Sequence, residues 1–232
     1  MSYMDWNVSP KEAIAIQKEL REQVRLTPLT KPVTLVGGAD VSMNRFAKEG
    51  FAGFVTLSYP ELALVGHAVV KDTIPFPYIP GLLSFREIPM LLKAWKALTP
   101  KPQVLIVDGM GIAHPRRLGI ATHLGLELGI PTIGCGKSIL VGTYDEPLNE
   151  RGAYSHLTYQ GEVIGAVLRT KMNVKPVIVS PGHLITLEES IELVLASSLR
   201  HRLPEPTRLA HNTVNEYRVR DASSTLPMKG VE

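Results

Sequence analysis

The chain has 232 residues, a formal net charge of +3, 44% hydrophobic residues and a single cysteine. That length fits one large globular domain, the mixed charges exclude wholesale disorder, and Cys135 alone excludes a disulfide framework or a cysteine-based zinc site. No apolar run is long enough to span a membrane and the first residues lack the regions of a signal peptide, so a cytoplasmic protein with no membrane partner is expected.

Ser9 and Pro10 open a helix predicted over residues 10–26, with Ala13, Ile16, Leu20 and Val24 on one face. Strands are expected over 34–41, 52–58 and 62–70, joined by short polar or proline-containing connections that suit an antiparallel meander. A helix over 82–98 follows, with Leu91, Leu92, Trp95 and Leu98 on its apolar face. Pro89 lies inside it and should distort the turn after Glu87. The pattern then alternates, with a strand over 104–107, a glycine-rich loop, a helix over 118–128 and a strand over 132–134, which argues for βαβ units and parallel pairing. More strands are expected over 157–159, 163–169 and 177–179, and helices over 187–199 and 207–220. Periodicity by itself gives an α/β protein. Residues 1–220 form the expected single domain. Ser223, Ser224, Thr225 and Pro227 break the helical pattern, so 221–232 is expected to be a disordered C-terminal tail.

The chemistry gathers at two kinds of place. In Phe76-Pro77-Tyr78-Ile79-Pro80-Gly81 the prolines fix their own φ angles and hold Tyr78 on a stiff bracket. Such a side chain is either a wedge for prying at a nucleic acid or one packed on a neighbouring loop. Asp40 and Asp108 end apolar runs that read as buried strands, and Glu87 falls near the start of a helix between them in sequence. Three carboxylates able to converge on one point repel one another, and oxygen ligands of that kind suit Mg²⁺, with Mn²⁺ able to substitute. Lys137, just beyond a strand, could neutralise phosphate charge or be an exposed loop lysine. Arg116 and Arg117 suit phosphate contacts or a solvated basic turn, and His114 either touches nucleic acid or bonds the loop backbone. Thr207 and Arg208 begin the last predicted helix, where backbone N–H groups favour an anion. Cys135 reads as a packed small residue.

These segments resemble the endonuclease V family. The resemblance is carried by Gly38-Ala39-Asp40-Val41-Ser42, by residues 76–87, and by Val107-Asp108-Gly109-Met110-Gly111-Ile112-Ala113-His114-Pro115-Arg116. It extends through Pro131 to Ser138, Val179-Ser180-Pro181-Gly182-His183 and Pro204-Glu205-Pro206-Thr207-Arg208-Leu209-Ala210-His211, almost the whole chain. The resemblance implies a ribonuclease H-like mixed sheet, an antiparallel meander followed by βαβ units and flanked by helices. It also implies a DNA repair endonuclease that recognises deaminated adenine, as deoxyinosine or as inosine in RNA. The expected reaction is Mg-assisted hydrolysis of the second phosphodiester on the 3′ side, leaving 3′-hydroxyl and 5′-phosphate, by a monomer.

Residue by residue, the resemblance implies that Asp40, Glu87 and Asp108 bind metal and that these three, with His211 and Lys137, are catalytic. Tyr78, with Pro77, Ile79 and Pro80, would be the DNA wedge, and Gly81, Leu83, Gly109 and Gly111 the wall of the pocket for the extruded base. His114, Arg116 and Arg86 would contact phosphate. Met110 stands where a polar residue is expected, and Cys135-Gly136 where a Val-Ala-like pair is usual. Two other readings stay open at this point. A Holliday-junction resolvase or ribonuclease H would have no use for the wedge, and a lesion-binding module that does not cut would have no use for the acids.

Overall fold

The structure, a computed structural model, describes residues 6–44 and 47–224. Ser9 opens α1 (Pro10–Leu20) with a capping box shared with Glu12, and Pro10 occupies the first turn, where its missing N–H costs nothing. The helix stops six residues short of the expected end, in a single 3-10 turn at Arg21–Gln23. The reason is tertiary. The Arg25 N–H donates to His183 Nδ1 at 3.3 Å and its carbonyl accepts from Leu184 N at 2.7 Å, so this backbone serves a distant strand end instead of a helix.

β1 (Leu35–Ser42), β2 (Glu49–Ser58) and β3 (Leu64–Thr73) form the expected antiparallel meander. α2 (Leu83–Ala97) leads to β4 (Val104–Val107), which pairs parallel with β1. α3 (Ile120–Leu128) then leads to β5 (Thr132–Gly136), parallel to β4. α2 continues through Pro89, which removes the intrahelical donor that Phe85's carbonyl would have had. β6 (Tyr154–Tyr159), β7 (Glu162–Leu168) and β8 (Val177–His183) are a second antiparallel unit, joined antiparallel to β5 through β8. The sheet order is β3-β2-β1-β4-β5-β8-β7-β6, a ribonuclease H-like mixed sheet extended along one edge.

The continuous apolar run of β4 is explained by burial on both faces. Val104 and Ile106 pack with Val36, Ile133, Ile191 and Val194 on one side. Leu105 and Val107 pack with Phe54, Ile88, Leu91 and Leu124 on the other. α4 (Leu187–Ala196) covers the first face. α5 (Glu205–Ser224) crosses β1 and β2 so closely that a Cβ on Gly38 would stand 1.9 Å from the Pro206 carbonyl oxygen. α5 starts two residues before the expected position and runs on to Ser224, with Asp221 paired to Lys71 at 2.9 Å. Of the expected disordered tail, 221–224 is therefore helical, and 225–232 lies outside the described residues. Among the described residues, no helix is long and apolar enough to cross a membrane.

Candidate active site

Parallel pairing fixes the first two acids. Ala39 of β1 is opposite Val107 of β4, so Asp40 and Asp108, the residues that follow them, emerge side by side. Glu87, fifth in α2, comes from the helix packed over that face. Asp40 is largely buried, and burial, with Asp108 adding to it, pushes its carboxyl up to about 6 despite His211 and Lys137. Glu87 is pushed up to about 8, first by burial and then by Asp40, with Asp108 adding to the repulsion. All three acids therefore act on one another.

Two bases reach this cluster. Lys137 Nζ bonds Asp108 Oδ2 at 2.5 Å, and His211 Nδ1 lies 3.2 Å from Asp40 Oδ2. Asn215 sets the imidazole. Its Oδ1 accepts from Ser42 Oγ at 2.7 Å, which turns its Nδ2 toward His211 Nε2 at 2.9 Å, so the Nδ1 proton faces Asp40. The donor set of oxygens fits a hard divalent cation, and two carboxyls stay raised by burial and mutual repulsion even though His211 and Lys137 act on Asp40 and Arg86 on Glu87. Among the described residues, no three His, Cys, Asp or Glu side chains are already grouped as ligands, so the acids are neighbours without forming a closed cage.

Tyr78 is 70% exposed and does not pack on a neighbouring loop. Its bracket is pinned at both ends. Phe76 is buried with Leu82, Phe85 and Ala13, and the Gly81 carbonyl accepts from Gln17 Nε2 at 3.0 Å, His114 Nε2 at 3.1 Å and Arg116 Nη2 at 2.7 Å. Behind the bracket lies a cavity of about 230 Å³ lined by Gly81, Leu83, Gly109 and Met110, with Ile120 and Ser138 to Leu140 closing it. A wider cleft of about 710 Å³, lined by Ser42, Asn44, Arg86 and Glu87, shares Tyr78 and Leu83 with it. Wedge and cavity thus adjoin the cleft that Glu87 lines.

Several expected contacts turn inward. Gly111 does not line the cavity. Its N–H donates to Ser180 Oγ at 2.8 Å, and a Cβ there would meet the Pro181 carbonyl oxygen at 2.2 Å, so its role is packing against β8. His114 is 3% exposed and both its nitrogens bond backbone, Nε2 the Gly81 carbonyl and Nδ1 the Arg116 N–H. Burial pushes its imidazole down to about 4, so it stays neutral. Arg116 also bonds Gln17 Oε1 at 2.5 Å. Arg86 bonds the Phe76 carbonyl at 2.6 Å and Met43 Sδ at 3.0 Å. Arg117 pairs with Glu162 at 2.7 Å. Each of these arginines braces a loop through these bonds, and Arg86 also lines the wider cleft. Thr207 is buried and donates to the Pro204 carbonyl, and Arg208 pairs with Glu205, so the start of α5 is covered by protein. Cys135 is fully buried, its thiol pushed up to about 12. Gln17 and Asn215 escaped the sequence reading. Gln17 had a signal, as a polar residue one turn beyond Ala13 on a buried helix face.

A sequence profile described as Endonuclease V matches residues 18–212. Endonuclease V of Myxococcus xanthus strain DK1622 is 49% identical over 221 residues, 94% of each chain. The crystal structure of Endonuclease V from Streptomyces avermitilis superposes with a TM-score of 0.88 at 38% identity, covering 94% of this chain and 96% of that one. Ciona intestinalis Endonuclease V, solved in complex with a 24-mer DNA containing an inosine followed by a ribo-adenosine, gives a TM-score of 0.78 at 29% identity, covering 91% of this chain and 98% of that one. With a profile match across most of its length and near-half identity to a relative of matching length, this chain belongs to the endonuclease V family.

Proposed function

We propose that the protein turns hypoxanthine, as deoxyinosine or inosine, out of a strand and hydrolyses the second phosphodiester on its 3′ side, leaving 3′-hydroxyl and 5′-phosphate. The observation that carries this reading is the cavity behind an exposed, braced Tyr78, which shares Tyr78 and Leu83 with the cleft that Glu87 lines. Inosine-containing DNA bound by the Ciona relative supports the substrate class. A resolvase or ribonuclease H needs no such wedge and cavity, and a pure binding module needs no mutually repelling acids.

In this reading Tyr78 fills the gap left by the extruded base, replacing lost stacking. The cavity takes the base, and a weakly paired lesion costs least to extract. Asp40, Glu87 and Asp108 would hold Mg²⁺ or Mn²⁺, which would lower the pKa of the attacking water and offset charge at the phosphate. Lys137, already turned toward Asp108, contributes a point charge near the reacting phosphate. His211, with its Nε2 held by Asn215, is set to exchange a proton beside Asp40.

The test is a nicking assay on inosine-containing DNA and RNA strands, with Mg²⁺ and with EDTA. Cleavage is expected only with the cation, and Asp40→Ala or Asp108→Ala should abolish it while lesion binding persists. Full activity in either variant would remove the metal assignment.

A further inference from the structure

Met110 lines the cavity from the loop after β4, and its side chain ends against Gly136, the last residue of β5. A Cβ built on Gly136 would stand 2.5 Å from Met110 Cε and 3.3 Å from Sδ. Gly136 is not in the left-handed region, so its backbone conformation does not require glycine. A side chain at 136 would therefore displace the tip of the methionine, and little else.

The Met110 backbone has no room to yield. Its carbonyl accepts from Ala121 N at 3.0 Å, and a Cβ on Gly119 would stand 2.2 Å from that oxygen. Its carbonyl carbon lies 2.6 Å from where a Cβ on Gly134 would be. On its other flank Met110 packs on the buried cluster of Ala113, Leu157 and Ile178. The remaining open side is the cavity. A flexible thioether displaced from Gly136 would swing there, into space otherwise left for a base.

We propose that Gly136 and Met110 are a matched pair that sets the depth of this cavity, which makes Gly136 a specificity-determining position. The proposal rests on the cavity being the seat of the extruded base. Lys137 follows directly, so the test must separate a filled cavity from a displaced lysine.

Binding by fluorescence anisotropy, in Ca²⁺ to suppress cutting, would compare duplexes carrying inosine, a tetrahydrofuran abasic site or no lesion. Gly136→Ala should weaken inosine binding by about tenfold or more, the scale of one methylene misfit in a pocket. The abasic duplex, which places no base in the cavity, should be held within about twofold of wild type. With Met110→Ala already present, adding Gly136→Ala should change inosine binding by no more than about twofold, because the clashing group is gone. Met110→Phe, which leaves β5 untouched, should lose inosine preference in the same way and serves if Gly136→Ala does not fold. Unchanged inosine binding in Gly136→Ala or Met110→Phe, equal loss on the abasic duplex, or no relief in the Met110→Ala background would overturn the pair. A wild type with no preference for inosine over undamaged duplex would overturn the underlying reading, and the pair with it.

Discussion

Glu87 and Arg86 are adjacent in sequence and opposite in use. A helix turns about 100° per residue, so the carboxylate faces Asp40 and Asp108 while the guanidinium runs to the Phe76 carbonyl and Met43. Glu87→Gln keeps the shape and removes the charge, so single-turnover cleavage should fall by about two orders of magnitude or more with lesion binding retained. A near-normal rate would return Glu87 to a structural role. Tyr78 tests recognition apart from chemistry. Base–aromatic stacking is worth roughly 1–3 kcal/mol, so Tyr78→Ala should weaken inosine-duplex binding by about ten- to a hundredfold. Metal dependence should survive, and single-stranded substrate, with no partner stack to open, should suffer less. Equal binding of the duplex by wild type and variant would leave Tyr78 outside recognition.

At the scale of elements, the bracket depends on what holds it. Arg116 gives one donor to the Gly81 carbonyl and another to Gln17, itself bonded to that carbonyl, so Arg116→Met should loosen the segment that presents Tyr78. Duplex binding should weaken by about the margin expected of Tyr78→Ala, and the double variant should lose little more, since both changes act on one wedge. Additive losses would instead make Arg116 a phosphate contact. This residue also marks the limit of sequence reading. Val104 to Val107 was legible as an unbroken apolar run and the helix around Leu91 by its period, because burial on two faces or on one imposes those patterns locally. The two Asp positions were legible because each follows an apolar run, Asp40 inside β1 and Asp108 just past β4. The inward turn of Arg116 and His114 was not, since a guanidinium bonded to a carbonyl and one in water have the same neighbours in sequence. The end of α1 and the antiparallel joining of β8 to β5 depend on partners more than a hundred and more than forty residues away, respectively, and no local window contains them.

Across the whole molecule, the titrations pull folding stability in two directions. His123 lies between Trp6 and Phe85, ring centroids 5.4 and 5.2 Å away, with Nδ1 3.0 Å from Ser84 Oγ, and burial pushes it down to about 3. An unfolded histidine takes its proton near pH 6.5, so between that value and the folded one the unfolded chain binds more protons. The contribution is therefore complete above about pH 6.5 and lost as pH falls toward 3. Asp40 and Glu87 run the other way in the metal-free protein. Their raised values favour the fold below the ordinary carboxyl range, and that share is lost as pH rises through about 6 and 8. A bound divalent cation would reverse the second effect by favouring the ionised acids in the folded state alone. Thermal melts from pH 4 to 9 should thus show Mg²⁺ raising the midpoint increasingly at higher pH, and Asp40→Asn should remove most of that rise. His123→Phe, which keeps an aromatic ring between Trp6 and Phe85, should flatten the acid limb and leave the Mg²⁺ response unchanged. A melt of His123→Phe that falls with acid as steeply as wild type would move the source of acid sensitivity from this buried imidazole to other groups, His114 first.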